Sequence, residues 1–271
     1  MAENNRKAVI VGISGASSSG KTTLARLLRD VFPNTFVLHE DDFYRAEEEI
    51  PIKDGILDWD CQGAINFDEM AKALEYIRAE GEFPPFVDSK EDKNSVGKNT
   101  VPETVIQAAK ARVAEWSRRQ PAHSLLTKRL CILDGFLLFG RDRPLSHIAD
   151  NLLDIRILLT VSRARATARR EARDGYVTLE GFWKDPPGYV DKIVWPNYAA
   201  SHAWLFKEGN VEGKLDGGVL REKDILALPG LVDGEGGEDG QEQGLDVDMR
   251  VMFEWAVEML IQKLEEVTKT G

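Results

Sequence analysis

The run Lys7–Ile13 (KAVIVGI) reads as a short buried strand, and Thr22–Val31 (TTLARLLRDV) places apolar residues at helical spacing. Between them lies Gly15-Ala16-Ser17-Ser18-Ser19-Gly20-Lys21-Thr22, which fits G-x-x-x-x-G-K-[ST]. Strand, glycine-bounded turn and amphipathic helix in this order commit the N-terminal part of the chain to an α/β unit. The turn aims consecutive backbone N–H groups inward at an anion, with the positive end of the helix dipole behind them. Lys21 has the reach for the β- and γ-phosphates of a nucleotide, and the Thr22 hydroxyl suits Mg²⁺. A chance Gly/Ser turn capping a helix is the bland alternative, and the flanking strand and helix argue against it.

A chain of 271 residues has room for one large α/β domain, or one domain with insertions. Its net charge of −11 argues against a nucleic-acid partner, since no broad basic surface is implied. Cys61 and Cys131 form no C-x-x-C pair, which suits reduced thiols in an intracellular protein. The segment MAENNRK lacks an apolar signal region, and no apolar run approaches the about 18 residues of a membrane span. The expectation is a protein without a membrane partner, cytoplasmic or nuclear.

Further elements follow from pattern. Thr35–His39 and Arg129–Leu133 read as strands ending at acidic residues, and Leu153–Val161 as another strand. Asp68–Glu80 reads as a helix capped by Asn66 or Asp68, Glu103–Arg119 as a helix, and Ser162–Arg173 as a basic helix. Lys192–Leu205 reads as helical, and Asp248–Thr268 as a terminal helix whose stripe of Val251, Trp255, Met259, Leu260 and Leu264 packs on the core. Gly81–Val101 and the Gly- and acid-rich Gly230–Gly244 read as solvated loops. Strands alternating with helices predict a parallel sheet covered on both faces.

Three constellations add chemistry. His39-Glu40-Asp41-Asp42-Phe43-Tyr44 follows the second strand, at the carboxyl end where ligands gather in α/β sheets. A carboxylate there accepts a proton from an attacking hydroxyl or holds Mg²⁺ through water. If the segment is extended, only one of Asp41 and Asp42 faces the nucleotide; a helix cap or acidic turn is the competing reading. Ile132-Leu133-Asp134-Gly135-Phe136 delivers Asp134 beside the phosphate loop, where it either organises the Mg²⁺ water shell or merely turns the chain. Arg163, Arg165, Arg169, Arg170 and Arg173 supply forks suited to phosphate oxygens, or else a solvated basic face. Arg169 and Arg173 lie four apart and share a helix face, with Arg170 pointing elsewhere. Gly181, Pro186, Pro187 and Gly188 suit a hinged lid.

Together these segments resemble the uridine-kinase-like P-loop kinases, and more closely the nicotinamide riboside kinases. The matching pieces are Gly12-Ile13-Ser14-Gly15, Ser19-Gly20-Lys21-Thr22-Thr23-Leu24-Ala25, Asp41-Asp42-Phe43-Tyr44 and Trp59-Asp60. They continue through Asp134-Gly135-Phe136-Leu137-Leu138-Phe139, Pro187-Gly188-Tyr189-Val190-Asp191 and Val194-Trp195-Pro196, in order over residues 7–200. The last runs are much more specific than the phosphate loop. The resemblance implies an α/β P-loop kinase over 1–271: a five-stranded parallel sheet with helices on both faces and a lid at about 163–191. Residues 83–119 and 230–244 read as extensions to which it assigns no role. It further implies phosphorylation of the ribose 5′-hydroxyl of nicotinamide riboside, and with it nicotinic acid riboside as a further candidate, using ATP and Mg²⁺. By position Asp41 matches the catalytic base and metal partner, with Lys21 and Arg169 completing the catalytic set. Thr22 and Asp134 match metal partners, the latter often Glu in the family. The loop from Gly15 through Thr23, with Arg169 and Arg173, matches nucleotide contacts. Asp60 and Arg170 match ribose contacts, Trp59 and Tyr176 the aromatic pair around the nicotinamide ring, and Asp42, Phe43 and Tyr44 extend the substrate wall. The stretch Asp174–Asp185 is one residue longer than in short animal-type enzymes. The four histidines, His39, His123, His147 and His202, match no metal-ligand spacing and read as structural or exposed.

A uridine/cytidine kinase would share the loop, the aspartate and the lid. A GTP-dependent switch protein would want an N-K-x-D motif after a later strand, and none is present. A nucleotide-binding protein without catalysis has only the acidic loop in its favour. The sequence leaves open the choice of ATP or GTP, the adenine contacts beyond Leu205, and the oligomeric state.

Overall fold

The computed structural model describes residues 6–89, 99–119, 128–173, 175–177, 182–234 and 244–270. Strands β1 (Ala8–Gly15), β2 (Thr35–His39), β3 (Arg129–Gly135), β4 (Ile155–Leu159) and β5 (Ile225–Leu226) form one sheet in the order β2-β3-β1-β4-β5. Every neighbouring pair is parallel. The central β1 is buried along its whole length, as a strand covered on both faces must be. The helices of six or more residues are α1 (Lys21–Val31), α2 (Phe67–Glu80), α3 (Glu103–Arg119), α4 (Arg163–Glu171), α5 (Trp195–His202), α6 (Gly217–Glu222) and α7 (Met249–Thr270). Helix α1 packs on β3 and meets α3 and α7, while α2 packs on β1 and on the turn Ile148–Leu152.

Local chemistry explains where elements begin and end. Asn66 Oδ1 accepts from Glu69 N at 3.2 Å while its Nδ2 donates to Glu69 Oε2 at 3.1 Å, so α2 starts at Phe67. Leu153 N closes the preceding turn on Ile148 O at 3.2 Å, which withholds Leu153 from β4. Lys192–Leu205 is helical throughout, as expected: a π-helical turn over Val190–Val194 runs into α5, a 3₁₀ turn over Ala203–Leu205 follows, and Pro196, without an N–H, stands in the first turn of α5. Helix α4 stops at Glu171, so Arg173 lies past its end and does not share a helix face with Arg169.

The stripe on α7 agrees with the expectation at Leu260 and Leu264, which are buried, and at Trp255, which packs on the core, whereas Val251 is exposed; Met252, Phe253, Ala256 and Val257 complete the buried face. The rotation of α7 is set by α3: Trp116 Nε1 donates to Glu265 Oε1 at 2.9 Å and Arg112 pairs with Glu258. Two hairpins and β5 have no counterpart in the sequence reading. One hairpin pairs Ile52–Lys53 with Ile56–Leu57 around Asp54 and Gly55, both at positive φ. The other pairs Tyr176–Val177 with Phe182–Trp183. Of the acid-rich stretch, residues 235–243 lie outside the described residues, as do His123 and Gly181. No described helix is long and apolar enough to cross a membrane.

Candidate active site

The phosphate loop joins β1 to α1 at the carboxyl edge of the sheet. Gly15 has φ 152°, Ser18 φ 64° and Gly20 φ 104°, the last preceding the first residue of α1. A Cβ on Gly15 would lie 2.3 Å from Leu159 O, so this position accepts only glycine. Lys21 is buried and folds back to donate to Ala16 O at 3.1 Å. Burial lowers its pKa, against the opposing pull of Asp134, Asp41 and Glu40.

Thr22 Oγ1 donates to Asp134 Oδ2 at 2.5 Å, and His39 Nδ1 lies 3.3 Å from the same oxygen. Burial alone would raise the Asp134 pKa. The His39 contact, the Lys21 charge and the Thr22 bond outweigh it and hold the carboxyl below its ordinary value. His39 is buried beside Asp134. Asp134 Oδ1, Ser18 Oγ and Ser19 Oγ are buried and make no hydrogen bond among the described residues. Buried oxygens left this way are costly, and a hard cation and phosphate oxygens are the partners that would satisfy them. The residues thus fit a nucleotide triphosphate with a divalent cation. Among the described residues no group of three or more His, Cys, Asp or Glu forms a metal cage. Mg²⁺ needs none, since it keeps several waters and takes few protein ligands.

Beside this loop stands a second half-site. Glu40–Phe43 is a 3₁₀ turn, so the strict alternation expected of an extended segment does not sort Asp41 from Asp42; both are half-buried. Glu40 is fully buried: its Oε2 accepts from Phe136 N at 2.6 Å and Leu137 N at 3.0 Å. Burial lifts its carboxyl to about 7, against the pull of those amides. Phe43 is buried below. The Tyr44 ring stands edge-on to Trp59, centroids 5.3 Å apart, and stacks with Phe136 at 6.4 Å. Trp59 is buried, and its Nε1 finds no partner among the described residues.

One guanidinium joins the halves. Arg170 Nη1 donates to Ser17 Oγ at 2.9 Å and to Asp60 Oδ1 at 2.7 Å, and Nη2 donates to Asp60 Oδ2 at 3.0 Å. Its other bonds go to Asp185, from Nε at 2.6 Å and Nη2 at 3.2 Å. Asp60 and Arg170 are both buried. Burial raises the Asp60 pKa despite the arginine. Arg169 donates to Ser18 O at 3.1 Å, which brings the phosphate loop and α4 together.

Several site residues were not found from sequence. Trp183 lies 5.8 Å from Trp59 and 6.0 Å from Tyr189, and its Nε1 donates to Asp185 Oδ1 at 3.0 Å. The sequence reading gave a place beside Trp59 to Tyr176. The backbone of Tyr176 pairs with that of Trp183, and the Tyr176 side chain lies outside the described residues. Tyr189 OH accepts from Trp59 N at 3.0 Å and donates to Leu57 O at 3.2 Å, pinning the pocket to the small hairpin. The Asp54-Gly55 pair is the signal that would have found that hairpin. Asp246 is the other omission: its Oδ1 accepts from Ser162 N at 2.9 Å and its Oδ2 from Ser162 Oγ at 2.8 Å, at the start of α4.

Comparisons with known proteins agree with this geometry. Residues 8–81 match the family described as chloramphenicol phosphotransferase-like protein. A nicotinamide riboside kinase of Schizosaccharomyces pombe is 43% identical over 210 residues, covering 78% of this chain and 86% of that protein. One of Saccharomyces cerevisiae is 33% identical over 217 residues, covering 78% and 85%. Nicotinamide riboside kinase 1 of Homo sapiens is 30% identical over 193 residues, covering 71% and 75%. With that identity spread over most of both chains, and a phosphate loop facing an aromatic, acid-lined pocket, the chain belongs to the nicotinamide riboside kinase family.

Proposed function

We propose that the chain transfers the terminal phosphoryl group of ATP to the ribose 5′-hydroxyl of nicotinamide riboside, giving nicotinamide mononucleotide, a step of NAD salvage. One observation carries this reading: Arg170 bonds both Ser17 of the phosphate loop and Asp60 of the aromatic pocket, so donor and acceptor sites share a single fork. Asp41 takes the hydroxyl proton as the new O–P bond forms and the bond to the departing β-phosphate oxygen breaks, leaving ADP. Lys21, Arg169 and Arg173 face the charge that spreads over the phosphoryl oxygens. Thr22, Asp41 and Asp134 would hold Mg²⁺, which when bound neutralises charge on the phosphates. The segment 163–191 serves as the lid that brings these arginines over the donor.

The acceptor carries a fixed positive charge on its pyridinium ring. An aromatic face attracts such a cation by about 0.5–2 kcal/mol, and Trp59, with Tyr44 and Trp183 nearby, supplies it. Asp60 already accepts twice from Arg170, but a carboxylate offers about four lone-pair positions. Two remain for ribose hydroxyls, a basis for preferring ribose over deoxyribose. The reaction is tested by a coupled assay with Mg²⁺–ATP over nicotinamide riboside, nicotinic acid riboside and uridine. Nicotinamide riboside should be the preferred acceptor; phosphorylation of uridine alone would overturn the reading in favour of a pyrimidine nucleoside kinase.

A further inference from the structure

We propose that Glu40 is a positioning residue: its carboxylate, reaching from the end of β2, fixes the turn after β3 and so sets Asp134 and Phe136 in register with Asp41. This inference rests on the reaction just described. Glu40 is 0% exposed, and one of its oxygens, Oε2, gathers two successive backbone amides, Phe136 N at 2.6 Å and Leu137 N at 3.0 Å. Strand β3 ends at Gly135, so both amides lie beyond its ladder.

The clamp acts on both halves of the site. One residue on from Glu40 is Asp41. One residue before Phe136 is Gly135, and before that Asp134, whose Oδ2 receives Thr22. Phe136 itself stacks on Tyr44, and Tyr44 meets Trp59. The turn is built around this carboxylate: a Cβ on Gly135 would lie 2.7 Å from Glu40 Oε2 and 2.8 Å from Glu40 Cβ. A side chain one methylene shorter withdraws the acceptor from both amides and frees the turn carrying Asp134 and Phe136. A glutamine keeps the length and one carbonyl oxygen for the same two donors.

Reach and charge are therefore separable with two conservative variants that preserve burial, Glu40→Asp and Glu40→Gln. Glu40→Asp should lose about 100-fold in kcat, the scale of a misplacement near 1 Å. Glu40→Gln should keep kcat close to that of the unmodified enzyme. Independently of activity, hydrogen exchange of the Phe136 and Leu137 amides should accelerate in Glu40→Asp and stay protected in Glu40→Gln. Unchanged protection in Glu40→Asp, or a Glu40→Gln enzyme as slow as Glu40→Asp, overturns the proposal; the second result would put charge before reach. An unmodified enzyme that leaves nicotinamide riboside untouched would refute the assigned reaction instead, and the exchange measurement would still decide the role of Glu40.

Discussion

Arg170 commits every N–H of its guanidinium to protein: Nε to Asp185, Nη1 to Ser17 and Asp60, Nη2 to Asp60 and Asp185. Such a buried fork is held by its partners: without Asp60 the charge still meets Asp185, but two buried N–H donors lose their acceptor. Asp60→Ala should therefore lose about 1–3 kcal/mol of stability, the usual cost of leaving buried donors unsatisfied, as well as affinity for the nucleoside. Urea unfolding beside KM measurements checks both, and an unchanged unfolding midpoint would refute the structural part. Asp41 is half-buried, and asparagine matches it in size. Asp41→Asn should then keep the unfolding midpoint while kcat falls by about 10²–10⁴, the range for a general base; turnover near normal would remove Asp41 from that role. At this scale the motif residues were legible, since Lys21, Thr22 and Asp134 are named by spacing and strand ends. Trp183 and Asp185 were not, because their part depends on which side chain a distant arginine or indole reaches, and no local pattern records that.

Elements were legible in proportion to their length. The strands β1, β2 and β3 and the helices α1 to α3 are long enough to display a period, and they fall within a residue or two of expectation. Strand β5 and the strands of both hairpins have two residues each, too few for any period, and only tertiary pairing makes them strands. The boundary of α4 shows how an element is finished from outside its own sequence. Ser162 Oγ accepts from Arg165 N at 3.2 Å and in turn donates to Asp246 Oδ2, while Arg165 Nη1 donates to Asp246 O at 3.1 Å. Next to this strap, Met249 Cε comes within 2.5 Å of where a Gly20 Cβ would be. Asp246 thus ties the start of α4 to the segment that covers the phosphate loop. Asp246→Ala should cost about 0.5–2 kcal/mol, the range for losing a cap, and raise KM for ATP more than KM for the nucleoside, because α4 carries Arg169 to Ser18 O. Asp246→Asn, which retains an acceptor for Ser162 N, should recover most of the loss. Equal shifts in both KM values would reduce Asp246 to a surface contact.

Across the whole molecule, the buried histidine of α5 links stability to pH. His202 is 0% exposed, its ring centroid is 4.4 Å from that of Tyr198, and its Nδ1 lies 2.7 Å from Ser201 Oγ and 3.2 Å from Tyr198 O. Its Nε2 meets no hydrogen-bond partner among the described residues. Burial lowers its pKa to about 4; the Tyr198 carbonyl opposes this and the Lys21 charge adds to it. In the unfolded chain the value returns to about 6.5. Between these values the unfolded state binds the proton and the folded state does not, so stability rises with pH across the window. The contribution is fully present above about pH 6.5, is lost as pH falls toward 4, and changes no further below that, where both states are protonated. At about 1.4 kcal/mol per unit, the full window is worth roughly 3 kcal/mol, a large share of the about 5–15 kcal/mol that holds a typical protein folded. Other groups titrate in the same range, so the comparison must be with a chain that differs only here. Urea unfolding at pH 7 and pH 5 should show a marked acid loss in the unmodified protein and a flatter dependence in His202→Gln, whose side chain does not titrate. Parallel pH profiles for the two proteins would mean that His202 is reached by water or protonated in the folded state, and that the acid sensitivity of the fold has another origin.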